Sequence, residues 1–158
     1  MVIDALNVQH HFAHGLDWFC GGQHSEVEAR VRRFVTALVE MGVRPVFVLN
    51  APGCVPEAKV AAWCERKKKI ASMVQAIYRR GSLYPQEAMT PSVFTCTSLA
   101  LILSTIDGCE VHMAMPGIED DYAAAKLAVE TNAFGVLSDD SDFLCFQVYT
   151  VNSVKQIV

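Results

Sequence analysis

Short, unbroken apolar runs alternate along this chain with longer stretches of helical periodicity, and that alternation limits what it can fold into. The VFVL inside RPVFVLN (44–50) has no polar position, as a strand buried on both faces requires. EVEARVRRFVTALVEMG (26–42) sets Val27, Val31, Phe34, Val35 and Leu38 on one helical face, with Ser25 placed to cap the helix and Gly42 to end it. By the same reasoning VIDAL (2–6) is the first strand, 57–80 a long helix ended by Gly81, and CTSLALILSTIDG (96–108) a helix. EVHMAM (110–115) is the third strand, DDYAAAKLAVETN (120–132) a helix, FGVLS (134–138) the fourth strand and FQVYTV (146–151) a candidate fifth. SLYPQEAMTP (82–91) is a loop. Strands separated by helices pair in parallel, because each crossover returns the chain to the same end of the sheet. The expected class is therefore α/β, a mainly parallel central sheet flanked by helices.

At 158 residues and 52% hydrophobic, the chain suits one globular domain over residues 1–158 and excludes a disordered polymer. The net charge of −4 hides an asymmetry. Seven of the 13 basic residues lie between Lys59 and Arg80, and seven of the 17 acids lie between Glu119 and Asp142. The six cysteines form no CxxC pair and no zinc-like Cys/His spacing, which points to reduced thiols in a nuclear or cytoplasmic protein. The longest apolar stretch, SLALILSTI, is too short to span a bilayer, so no membrane association is expected.

The acids become informative once placed on the strands. Asp4 lies near the carboxyl end of the first strand, Glu119 and Asp121 follow the third, and Asp140 and Asp142 follow the fourth within VLSDDSDFLCF (136–146). In an open parallel sheet these ends share one edge, where ligands bind. Five carboxylates gathered there repel one another unless a cation relieves them, and hard oxygen donors suit Mg²⁺ or Mn²⁺. Such ions activate water and steady the charged oxygens of phosphodiester hydrolysis. The two-residue spacing of Asp140 and Asp142 puts both carboxyls on one side of an extended segment, with Asp139 turned away. Plainer roles stay open for each group alone. Glu119, Asp120 and Asp121 can complement a helix dipole, DDSD can be a solvated turn, and Asp4 can cap a loop.

The helix after Lys59 carries Val60, Trp63, Ile70, Met73, Val74 and Ile77 on its apolar side, leaving Lys59, Arg66, Lys67, Lys69 and Arg80 for the rest. It is either an amphipathic helix with a solvated basic face or a phosphate-contacting element that draws a polyanion toward the acids. His10, His11 and His14 have no zinc spacing and are expected as exposed loop residues that can touch substrate.

VIDALN, VFVLN, GIEDDYAAAKLA and GVLSDDSDFLCF resemble, in order, the conserved segments of the FEN/XPG-type structure-specific nucleases, which have a PIN-like fold. The resemblance implies a metal-ligand and catalytic role for Asp4, Glu119, Asp121, Asp140 and Asp142, while Lys59, Arg66, Lys67 and Lys69 of the basic helix are the expected nucleic-acid contacts. Lys59 and Arg66 have the separation of the family's phosphate-steering pair but lie late of its register. Within that superfamily, DWFCGGQ (17–23), VFVLNAP (46–52) and GIEDDY look closest to the branch around constitutive coactivator of PPAR-gamma and the asteroid-like proteins, a branch associated with RNA binding and coactivation. Asn50 stands where the family's second-strand turn carries aspartate, so one charge is replaced by a neutral amide. The family's final acidic residue would fall beyond residue 158 and its helix-hairpin-helix element is missing, which leaves open that 1–158 is a truncated or excerpted domain. Two functions follow as expectations. One is a Mg²⁺/Mn²⁺-dependent nuclease acting on single-stranded or structured RNA or DNA. The alternative is a catalytically impaired PIN-like domain that binds RNA or protein partners as a coactivator or scaffold.

Overall fold

In a computed structural model that describes residues 1–16, 23–50, 57–82, 84, 96–146 and 151–152, the apolar runs form one five-stranded parallel sheet. Its strands are β1 (Val2–Asp4), β2 (Val46–Leu49), β3 (Glu110–Met113), β4 (Val136–Leu137) and β5 (Val151–Asn152), in the order β3-β2-β1-β4-β5. The helices between them are α1 (Ala5–Ala13), α2 (His24–Glu40), α3 (Val60–Arg80), α4 (Cys96–Leu103) and α5 (Asp120–Glu130). The α/β class expected from the sequence is the one observed.

The side-chain alternation of each strand divides the core between two faces. Ile3, Phe47, Leu49 and Leu137 pack with Val8 and Phe12 of α1, Val27, Val31 and Val35 of α2, and Leu99 and Leu103 of α4. Val2, Val48 and Val136 point the other way, onto Ala124, Ala125 and Ala128 of α5 and onto Phe143. The alanines let α5 lie close on the sheet. Each large side chain buried in these layers contributes roughly 1.5–3 kcal/mol.

The first strand is shorter than expected, because the chain turns into α1 directly after Asp4. The cause is local: Asn7 donates its backbone N–H to Asp4 Oδ1 at 3.1 Å, and Ala5, Val8 and Phe12 recur at helical spacing toward the core. His10 and His11 therefore lie on a helix, not in a loop, and His14 is its C-cap. Helix α2 starts at His24 after Gln23, which takes φ 45°, so Ser25 lies inside the first turn instead of capping it. Gly81, at φ 72°, ends α3 in the left-handed conformation that glycine adopts without steric cost. Among the described residues of α3 only Ile77 is buried; Ile70, Met73 and Val74 are half-buried, and Val60 and Trp63 are exposed. Segments 17–22 and 85–91, which include most of DWFCGGQ and of the expected loop, lie outside the described residues, as do 147–150 of FQVYTV.

The strand order puts the site in place. From β1 the chain fills one side of the sheet with β2 and β3, then crosses to the other side with β4 and β5. The carboxyl ends of β1 and β4 flank this reversal, where open α/β sheets form their ligand crevice.

Candidate metal centre

Asp4 shares the parity of Val2, so its side chain leaves β1 on the α5 face, at the strand's carboxyl end. It is 5% exposed. Both of its oxygens accept a hydrogen bond, Oδ1 from the Asn7 N–H and Oδ2 from the Ser138 hydroxyl at 2.7 Å. Asp4 is thus a helix cap and a buried acid at once. Burial pushes its pKa up, and Asp121 and Asp140 add to this, against the two hydrogen bonds.

Helix α5 brings the second set of acids. Glu119 is its N-cap residue but caps no backbone N–H with its side chain, because its Oε2 lies 2.8 Å from Lys59 Nζ. That pairing, with the neighbouring Asp121 and Asp120, holds the Lys59 ammonium above its ordinary pKa. Asp120 and Asp121 occupy the first helical turn. A helix N-terminus alone would favour their ionised form and lower their pKa. The reverse occurs: burial first, and then neighbouring carboxylates, raise both, Asp121 to about 6. The first-turn backbone N–H groups do lower the Asp120 pKa, but burial and the neighbouring carboxylates outweigh them.

The loop after β4 completes the arrangement. Ser138, 2% exposed, joins the two strand ends: its hydroxyl donates to Asp4 and accepts the Asp140 N–H at 3.0 Å. Asp140 then caps a 3-10 turn over Ser141–Cys145, its Oδ1 accepting the Asp142 N–H at 3.0 Å. Asp140 and Asp142 consequently sit on a capped turn and not on the extended segment their spacing suggests. Phe143 anchors this turn in the core at 0% exposure. Asp139 turns aside to His11, 3.1 Å from ring Nε2 to carboxylate Oδ2.

These elements bring together two overlapping groups, Asp4–Asp120–Asp121 and Asp121–Asp140–Asp142, in each of which one carboxylate oxygen per residue lies within 4.8 Å of the others. Four of the five acids expected at the site, Asp4, Asp121, Asp140 and Asp142, are among them. Glu119 is in neither group, and Asp120, not singled out from the sequence, is in one. The donors are all hard oxygens, those of Asp4, Asp120 and Asp121 shielded and those of Asp140 and Asp142 exposed, with no histidine or cysteine among them. Oxygen donors grouped in this way could hold a metal ion. Ser138 was also missed; its only signal is a serine between a buried strand and an acidic run. Asn50 follows β2, half-buried. Of the expected nucleic-acid contacts, Lys59 is held at Glu119, while Arg66, Lys67 and Lys69 are exposed on α3, with Lys67 Nζ 5.4 Å from the centre of the Trp63 ring.

No helix among the described residues is long and apolar enough to cross a membrane. No family model matches the chain. Three curated proteins align over 99% of it, all named constitutive coactivator of peroxisome proliferator-activated receptor gamma: the mouse protein at 26% identity, and the human and bovine proteins at 24%. The chain spans about a fifth of the length of these relatives (20%, 17% and 22%). Its similarity to the coactivator branch is thus found across the whole of its length.

Proposed function

We propose that residues 1–158 form a PIN-like domain that binds Mg²⁺ or Mn²⁺ and hydrolyses phosphodiesters of single-stranded or structured nucleic acid. The observation that carries this reading is the pair of overlapping carboxylate groups sharing Asp121 at the switch point of the sheet. Like-charged, part-buried acids destabilise a fold that has nothing to place between them. Asp4, Asp120, Asp121, Asp140 and Asp142 would hold the cations, and Glu119 belongs to the same edge through Lys59. When bound, the ions supply activation of water and neutralisation of charge on the phosphate. Ser138 fixes Asp4 relative to Asp140, and Phe143 fixes the turn that carries Asp142. Lys59, Arg66, Lys67 and Lys69 offset the negative edge for a polyanion that would otherwise be repelled.

A second reading has its own support. Asn50 leaves the site one carboxylate short of the nuclease pattern, and the relatives carry the name of a coactivator. In that reading the domain binds RNA or a protein partner, in the nucleus, without turnover. Cleavage of end-labelled single-stranded RNA and flap DNA in Mn²⁺ separates the two. Products that require Mn²⁺ and vanish in Asp121→Asn and Asp140→Asn support the nuclease. Binding of RNA without products, unchanged in both variants, overturns it in favour of the binding module.

A further inference from the structure

We infer that His11 is a positioning residue: it holds Asp139 aside and thereby sets the loop that presents Asp140 and Asp142. This role presupposes the cation site proposed above. DDSD offers three carboxylates within four positions, and alternation along the chain turns Asp139 away from the other two. His11, 128 residues away in sequence, meets that outward carboxylate, its Nε2 3.1 Å from Asp139 Oδ2. A carboxylate only accepts, so His11 Nε2 carries the hydrogen that Asp139 receives.

The contact gains its leverage from α1. Asp4, a member of the acidic cluster, caps that helix, and His11 lies seven residues further on, two turns along the same rigid element. One helix therefore carries a cluster acid at its head and, lower down, the anchor for the opposite loop. The loop is stitched to this element at successive residues, Ser138 to Asp4 at 2.7 Å and Asp139 to His11 at 3.1 Å, and strand-like alternation sends Asp140 back toward the cluster. The Asp140 and Asp142 backbone N–H groups then bond Ser138 Oγ and Asp140 Oδ1. The two side chains of the pair retain 25% and 18% of their surface, so the contact is shielded more than an ordinary surface ion pair. Without this contact the loop loses one of its ties to α1, and the placing of Asp140 and Asp142 is less closely held.

The test uses the full chain and its His11→Ala, His11→Gln, Asp139→Ala and double-alanine variants, in two measurements. In chelator, amide hydrogen exchange at Asp140 and Asp142 should quicken in His11→Ala by about tenfold, with α1 and the strands unchanged. By Mn²⁺ calorimetry, each single alanine variant should bind about tenfold more weakly. The double variant should be no weaker than Asp139→Ala, because that substitution already removes the contact with His11. His11→Gln, whose amide can donate to Asp139, should recover most of the affinity. Unchanged exchange in the loop overturns the inference, and so does exchange that rises evenly through α1 and the sheet. So does Mn²⁺ affinity that is unaltered in His11→Ala. Wild-type protein that takes up no Mn²⁺ overturns the proposed function instead, and the exchange measurement then decides the role of His11 alone.

Discussion

Replacing Asp121 by asparagine should make the metal-free protein more stable at neutral pH. Folding carries the Asp121 carboxyl from its ordinary value of 3.8 to about 6, chiefly by burial and then by repulsion from Asp120 and Asp140. The native state thus holds this proton more tightly than the unfolded chain does. Its contribution favours folding fully only below about pH 3.8, and is lost as pH rises through about 6. At about 1.4 kcal/mol per pH unit the difference comes to about 3 kcal/mol. Asp121 is partly exposed and solvent screens it, so about half of that, roughly 1.5 kcal/mol, is expected at pH 7.5. The amide removes the charge and offers donors to the remaining carboxylates. For a chain of this size the gain corresponds to a rise in Tm of roughly 3–6 °C.

Thermal melts in chelator from pH 4.5 to 8 measure it directly. Wild type should lose stability across that range, and Asp121→Asn should lose much less. Adding Mn²⁺ at a hundred times its Kd stabilises wild type by about 2.7 kcal/mol. That exceeds the advantage of the variant, which has lost the shared ligand, so the order of melting temperatures should reverse. A variant that melts at or below wild type in chelator at pH 7.5 would refute the electrostatic reasoning. A wild type insensitive to Mn²⁺ would refute the cation site.

Three other substitutions probe the scaffold of the site. Phe143→Ala, which empties a fully buried position beneath the capped turn, should cost roughly 3 kcal/mol in urea unfolding. Ser138→Ala leaves Asp4 Oδ2 and the Asp140 N–H without their partner; roughly 1–3 kcal/mol of stability should be lost, with about tenfold weaker Mn²⁺ binding by calorimetry. Lys59→Ala breaks an exposed pair with Glu119, so its Tm should move little, whereas the salt dependence of single-stranded RNA binding should fall by about one in slope.

The fold was legible where local pattern and tertiary demand agree. The apolar VFVL predicts a fully buried strand, and the spacing of Val27, Val31 and Val35 predicts the face that α2 buries. VIDAL misleads because Ala5 and Leu6 continue an apolar run, although Ala5, Val8 and Phe12 already keep helical time and Asp4 stands ready to cap. The site was legible at the strand ends and in part beyond them. Choosing Asp120 over Glu119 turns on one residue's position at the start of α5, and what draws Glu119 away is Lys59, a contact of long range in sequence. Within DDSD the two-residue spacing already separates Asp140 and Asp142 from Asp139, and what the sequence does not show is that His11 meets Asp139 on the other side. The plain and the chemical readings of these acids also prove compatible. Asp4 and Asp140 both cap the helical turns that follow them, as turn-forming aspartates do anywhere. Capping explains why an acid begins each turn, but it leaves the crowding unexplained, because a cap needs one oxygen and no second carboxylate beside it. Asp121 lies in both groups and is raised to about 6, so it is the residue whose crowding the proposed cation would relieve most directly.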